Sequence, residues 1–361
     1  VTAISRFFAS RLGVIAAGAV IGVLAALLQK WGNPGNMGVC VACFERDIAG
    51  ALGLHRASVV QYLRPEIIGF VLGSLLAALA CTEFKARTGS APIVRFVLGM
   101  FAMIGALVFL GCPWRALFRL AGGDLNAVLG LAGLILGVSI GVWFLKNGYT
   151  LGRSRPTHTA VGWFLPAIMI GLLLLAIFAP TFSEGGAILS SESGPGSMHA
   201  PLIVSLFAGL VIGILAQRTR FCTMGSIRDV ILMGDTHLIS GAGGLLAAAF
   251  ATNLILGQFN LGVAGQPVAH DNHLWNFLGM VLAGLAFALA GGCPGRQLFL
   301  AGEGDADAGV FVLGMITGAA FSHNFGLASS PKGPGAFGPE AVFVGLAVCL
   351  VVGFVMREKR E

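Results

Sequence analysis

Four cysteines and four arginines hold matching places in two stretches of this chain, and their chemistry is where the sequence is most informative. Cys40 is followed by Arg46-Asp47, and Cys222 is followed at the same offset by Arg228-Asp229. Gly111-Cys112-Pro113-x-Arg115-x-Leu117-Phe118 recurs as Gly292-Cys293-Pro294-x-Arg296-x-Leu298-Phe299, and Gly123-Asp124 and Gly304-Asp305 extend the match. Proline is favoured in the first turn of a helix, so Cys112 and Cys293 are predicted near N-caps. Unsatisfied N–H groups at a helix N-terminus attract an anion. Arg115, Arg296, Arg46 and Arg228 would add positive charge, and ionisable residues within a membrane segment are functional candidates.

Each of these residues also has a plainer reading. Cys81 and Cys349 lack a partner in the other copy and read as small packing residues. Cys40-Val41-Ala42-Cys43 has the spacing of a redox pair, but its counterpart Cys222-Thr223-Met224-Gly225 lacks the second cysteine. The two Arg-Asp neighbours fit a self-neutralising ion pair as well as an anion site. No metal site is expected, because His55, His158, His199, His237, His270, His273 and His323 show no ligand spacing against the cysteines. Gly133-x-x-x-Gly137-x-x-x-Gly141 and Gly314-x-x-x-Gly318 read as helix-packing seams. Phosphate loops, dinucleotide fingerprints and nucleophile elbows are absent in usable context, so no enzyme activity, ATP hydrolysis or cofactor is expected.

The elements that must position these residues are membrane helices. Of 361 residues 56% are hydrophobic and only 11% charged, with a mean hydropathy of +0.88, against roughly 25% charged in a soluble domain. The 54 glycines sit mostly inside apolar runs, where small residues let helices approach closely. Seven cysteines without a small secreted framework argue against a disulfide scaffold. Candidate spans lie at 12–28, 65–81, 93–110, 126–145, 162–179, 201–216, 241–256, 274–290, 308–325 and 341–356. The first resembles a signal peptide but lacks a small-x-small cleavage site, and it reads as a retained span.

The duplication divides the chain into a first membrane repeat at 1–180, an external linker at 181–200 and a second repeat at 201–361. Five spans per repeat force the second copy to insert upside down, which makes an all-α polytopic protein with an inverted-topology repeat. Four apolar stretches too short to cross, 35–51, 113–121, 221–234 and 294–302, read as paired re-entrant half-helices. In this topology Cys40 and Cys112 enter from outside, and Cys222 and Cys293 from the cytoplasm. The net charge of +6 follows from topology, with about twice as many Lys and Arg on the N-terminal side as on the other. Both termini are therefore expected in the cytoplasm, in a multi-pass inner-membrane protein.

Gly35-Asn36-Met37-Gly38-Val39-Cys40-x-x-Cys43-Phe44, Arg46-Asp47-Ile48-Ala49-Gly50-Ala51 and the paired Gly-Cys-Pro motifs resemble the YeeE/YedE membrane family, a sulfur-transport family, over nearly the whole chain. The likeness is nearest to its YedE branch, associated with selenium metabolism, while another branch takes up thiosulfate. The resemblance implies an hourglass of long and short helices with pseudo-twofold symmetry. It also implies that thiosulfate passes along a line of cysteines through weak S–H hydrogen bonds, a role that carries to Cys112, Cys222, Cys293 and Cys40. Cys43 departs from the duplicated pattern.

A small dianion is costly in a low dielectric and thiolates would repel it, so neutral thiols suit such a path. The expected function is transport of a small sulfur or selenium anion, with the arginines supporting. The alternatives are a thiol-disulfide oxidoreductase using Cys40 and Cys43, and an accessory subunit delivering sulfur or selenium to a soluble carrier protein. Beyond that anion and the lipid bilayer, no nucleic-acid partner is expected.

Overall fold

The computed structural model describes residues 3–178 and 188–358. The expected linker 181–200 is thus described only from 188 onward, and the expected span 162–179 only to 178.

The chain is all-α and polytopic. Its helices are α1 (Ala3–Phe8), α2 (Arg11–Lys30), α3 (Val41–Ala51), α4 (Pro65–Ala80), α5 (Pro92–Phe109), α6 (Pro113–Ala121), α7 (Asn126–Lys146), α8 (Thr159–Gly162), α9 (Phe164–Phe178), α10 (Leu202–Thr219), α11 (Thr223–Met233), α12 (His237–Ile255), α13 (His273–Ala290), α14 (Pro294–Gly302), α15 (Ala306–Asn324) and α16 (Gly338–Val355). Among the described residues the only strands are β1 (Arg87–Thr88) and β2 (Arg155–Pro156), a two-residue antiparallel pair.

Each of the ten expected spans is a helix. Eight, some of them counted together with the short helix that follows, are long and apolar enough to cross a membrane, while α4 and α9 are shorter apolar helices. At 1.5 Å per residue the 16 residues of α4 and 15 of α9 reach about 24 and 22 Å, short of a ~30 Å hydrocarbon core.

Local sequence decides where the four short helices begin and how the chain reaches them. α6 and α14 each start on a proline whose missing N–H costs nothing in a first turn. The long helix before α14 stops at Gly291, whose φ of +86° is left-handed backbone that glycine adopts freely. In the first copy that place is Leu110, left-handed at φ +63°, a conformation that costs a side-chain-bearing residue about 1–2 kcal/mol.

Long helices pair closely across the molecule. α2 lies along α12 and α4 along α10, while α7 lies along α13 and α5 along α15; α5 and α13 also face each other. Glycines make these approaches possible. A Cβ on Gly133 or Gly137 would overlap the carbonyl of Phe277 or Val281 on α13, and one on Gly314 would overlap the carbonyl of Phe96 on α5. With lipid as apolar as leucine, such backbone-to-backbone contact is what holds membrane helices together.

Candidate functional site

The short helices run in opposite directions from a common centre. The C-terminal ends of α3 and α6 meet connections on one face: Leu189 N–H donates to the Ala51 carbonyl, and Asn260 N–H to that of Gly122. The end of α14 meets the opposite face, where Lys85 N–H donates to the Glu303 carbonyl and Arg87 N–H to that of Gly304. α11 ends beside the same face, in a polar cleft that Glu83, Arg218, Asp229 and Asp235 help to line. The N-terminal ends of all four therefore face inward, with their positive dipole ends and free N–H groups toward the middle.

A cysteine is the N-cap of every one of them: Cys40 for α3, Cys112 for α6, Cys222 for α11 and Cys293 for α14. The Cys40 sulfur accepts from Cys43 N–H at 3.4 Å and the Cys222 sulfur from Gly225 N–H at 3.2 Å. The thiols meet in pairs. The Cys40 thiol neighbours those of Cys112 and Cys43, and the Cys112 thiol also lies beside the backbone of Ala42 and Arg115. Cys222 and Cys293 are partners too, with Cys293 N–H donating to the Cys222 sulfur at 3.5 Å and the Cys293 thiol beside the backbone of Thr223 and Arg296. All seven cysteines are free; Cys349 is buried and Cys81 is exposed, away from both pairs.

Cys43 joins the first pair, because Arg115 Nη1 lies 3.3 Å from its sulfur. Arg115 is fully buried and otherwise donates to backbone carbonyls of Asn36, Leu110, Pro267 and Val268. Among the described residues no carboxylate pairs with it, so a positive charge stands beside three thiols.

The other three predicted arginines are engaged. Arg46 binds Asp47 at 2.7 Å, and Arg64 binds the second oxygen of the same carboxylate at 2.7 Å, all three side chains buried. Arg228 binds Asp229 at 2.7 Å and Arg296 binds Glu303 at 3.3 Å. Both Arg-Asp neighbours are thus ion-paired, and Arg64 is a participant that the motif comparison did not bring forward. No cluster of three or more His, Cys, Asp or Glu suited to a metal occurs among the described residues.

An aromatic group stands between the thiol pairs. Trp114, two residues beyond Cys112, makes an edge contact with Phe221, the neighbour of Cys222, at 5.6 Å between ring centroids. Phe70 and Phe299 complete the group at 5.9 and 6.0 Å from Trp114. Trp114 fell on an unmatched position of the repeated motif, so a search for shared residues passes over it.

Residues 218–356 match the family model described as Sulphur transport. The chain is 33% identical over 99 residues to a thiosulfate transporter TsuA of Spirochaeta thermophila, covering 27% of this chain and 29% of that protein. It is 26% identical over 107 residues to the thiosulfate transporter TsuA of Escherichia coli, 30% of each chain. Against a probable transporter YedE of Salmonella typhimurium it is 25% identical over 271 residues, 70% of this chain and 63% of that one. The matches thus span less than two thirds of each of these relatives.

Proposed function

We propose, from the premise that this chain belongs to the YeeE/YedE sulfur-transport family, that it passes a small sulfur oxyanion of the thiosulfate kind, or its selenium counterpart, across the inner membrane. The observation that carries this reading is four inward-facing, cysteine-capped helix N-termini, two of them beside an arginine that has no carboxylate partner among the described residues. The arrangement supplies what a buried anion needs. Inward-facing N–H groups and the Arg115 guanidinium offset the cost of removing the anion from water. Thiols donate weak hydrogen bonds without carrying a repelling charge.

Two copies of the device, 1–180 and 201–361 joined by the linker 181–200, fit passage from one face to the other. The reciprocal helix pairing supports that division: α2 on α12 is matched by α10 on α4, and α7 on α13 by α15 on α5. The excess of Lys and Arg supports a cytoplasmic position for the face bearing the ends of α11 and α14. In this orientation Cys40, Cys43, Cys112 and Arg115 take the anion from outside, and Cys222 and Cys293 deliver it inward. Arg46, Arg228 and Arg296 hold the short helices through their ion pairs.

The test is uptake of labelled thiosulfate, selenosulfate and selenite by cells expressing the chain. Entry of at least one anion above vector-only cells is expected, and entry of none overturns the reading.

A further inference from the structure

Placed side by side, the two copies differ at the point of convergence in a way that packing does not require. Trp114 corresponds to Gly295, and Thr223 to Val41. Both departures put a hydrogen-bond donor beside Cys222 and Cys293. Trp114 is 1% exposed and Thr223 3% exposed, yet neither the indole Nε1 nor the Thr223 Oγ1 has a hydrogen-bond partner among the described residues. Most buried polar side-chain atoms in a folded protein are paired, so two unpaired donors in the turns around one thiol pair are open to a ligand.

The surroundings place both residues at the second pair. The Trp114 ring lies over Gly295 in the first turn of α14, its Cζ2 and Cε2 3.5 and 3.6 Å from where a Cβ on that glycine would sit, and Cε2 is the atom bonded to Nε1. Thr223 is the first residue of α11, directly after the N-cap Cys222, and its backbone lies beside the Cys293 thiol. The charge at this pair is also unlike that at the first. Arg115 has no carboxylate partner among the described residues, whereas Arg296 is held by Glu303.

We propose that the Trp114 N–H and the Thr223 O–H bind the oxygen atoms of the passing anion while the Cys222 and Cys293 thiols meet its soft atom. This deepens the transport reading and rests on it. The result is two stations of different strength: a charged one at Arg115 that captures, and a neutral one at Trp114 and Thr223 that holds and lets go. A path needs binding favourable enough to enter and weak enough to leave. Neutral donors at the second station satisfy the latter.

The experiment is the concentration dependence of labelled thiosulfate uptake by cells expressing the full chain, corrected for the amount in the membrane. It compares Trp114→Phe, which keeps an aromatic ring, with Thr223→Val, which keeps the shape, and with Thr223→Ser, which keeps the hydroxyl. Loss of one donor is expected to raise the half-saturating concentration about fivefold or more in the first two variants, and Thr223→Ser is expected to stay close to the unaltered chain. Unchanged half-saturation in Trp114→Phe and Thr223→Val overturns the inference, as does a Thr223→Ser variant impaired as badly as Thr223→Val. Both results leave the transport reading standing. No uptake by the unaltered chain removes that reading and this inference together.

Discussion

Arg115 reaches Cys43 across the gap between α6 and α3, its Nη1 3.3 Å from the thiol sulfur, and no carboxylate among the described residues answers its charge. A guanidinium cannot shed its proton to ease burial. The fold keeps it by giving it backbone carbonyls, which leave the net charge in place. That charge stands beside three thiols and two helix N-termini, where it attracts an anion.

Arg115→Gln should therefore lower uptake of the labelled anion about tenfold or more, the worth of a charged hydrogen bond. Arg115→Lys should retain part of it, because the charge remains while the planar fork is lost. Uptake corrected for protein in the membrane reads both effects.

Asp47 holds Arg46 and Arg64 at once inside the protein. Asp47→Asn leaves two buried guanidinium groups without a counter-charge, a change expected to cost about 3–5 kcal/mol. A large drop in the melting temperature of the detergent-purified protein is expected. An unchanged melting temperature would show that these ion pairs are not what holds α3 in place.

At the face where α14 ends, Glu83 accepts from Gln217, Arg218 and Arg220, and Arg220 continues to Glu303. Burial alone would raise the Glu83 carboxyl, but the bonds from Arg218 and Gln217 and the nearby charges outweigh it and lower it. A lowered carboxyl stabilises above its unfolded value of ~4.3 and loses that contribution as pH falls through the folded value. With Glu83 one third exposed the effect is about 0–1 kcal/mol. Melting temperature should therefore fall less steeply below pH 4.3 in Glu83→Gln than in the unaltered chain.

The repeat made much of this legible beforehand. Pro113 and Pro294 mark the starts of α6 and α14, and the bounds 113–121 and 294–302 coincide with the helices found. Identical residues at matching spacings within each motif also led to Cys40, Cys112, Cys222 and Cys293, because a shared constraint leaves a shared residue. The same logic hides what makes the copies differ. Trp114 and Thr223 stand where the other copy has Gly295 and Val41, and only the folded chain brings them beside Cys222 and Cys293. Which of the four repeated arginines lacks a carboxylate partner among the described residues was equally illegible, since Glu303 reaches Arg296 and Asp47 reaches Arg64 through tertiary approach.

Gly137 gives a packing prediction. A Cβ there would overlap the Val281 carbonyl and sit 2.8 Å from the Leu285 backbone nitrogen. Gly137→Val should separate α7 from α13 and sharply reduce the amount of folded protein recovered from membranes. Gly171, with nothing within 4 Å of a built Cβ, should accept alanine with no loss of yield.

The most direct test of the central claim compares Cys222→Ala, Cys293→Ala and Cys43→Ala for uptake of labelled thiosulfate, selenosulfate and selenite at equal membrane levels. The cysteine-capped path predicts that Cys222→Ala and Cys293→Ala abolish entry of whichever anion the unaltered chain carries, while Cys43→Ala retains part of it. Abolition by Cys43→Ala together with a mild effect of Cys293→Ala would contradict the path and point instead to dithiol chemistry at Cys40 and Cys43.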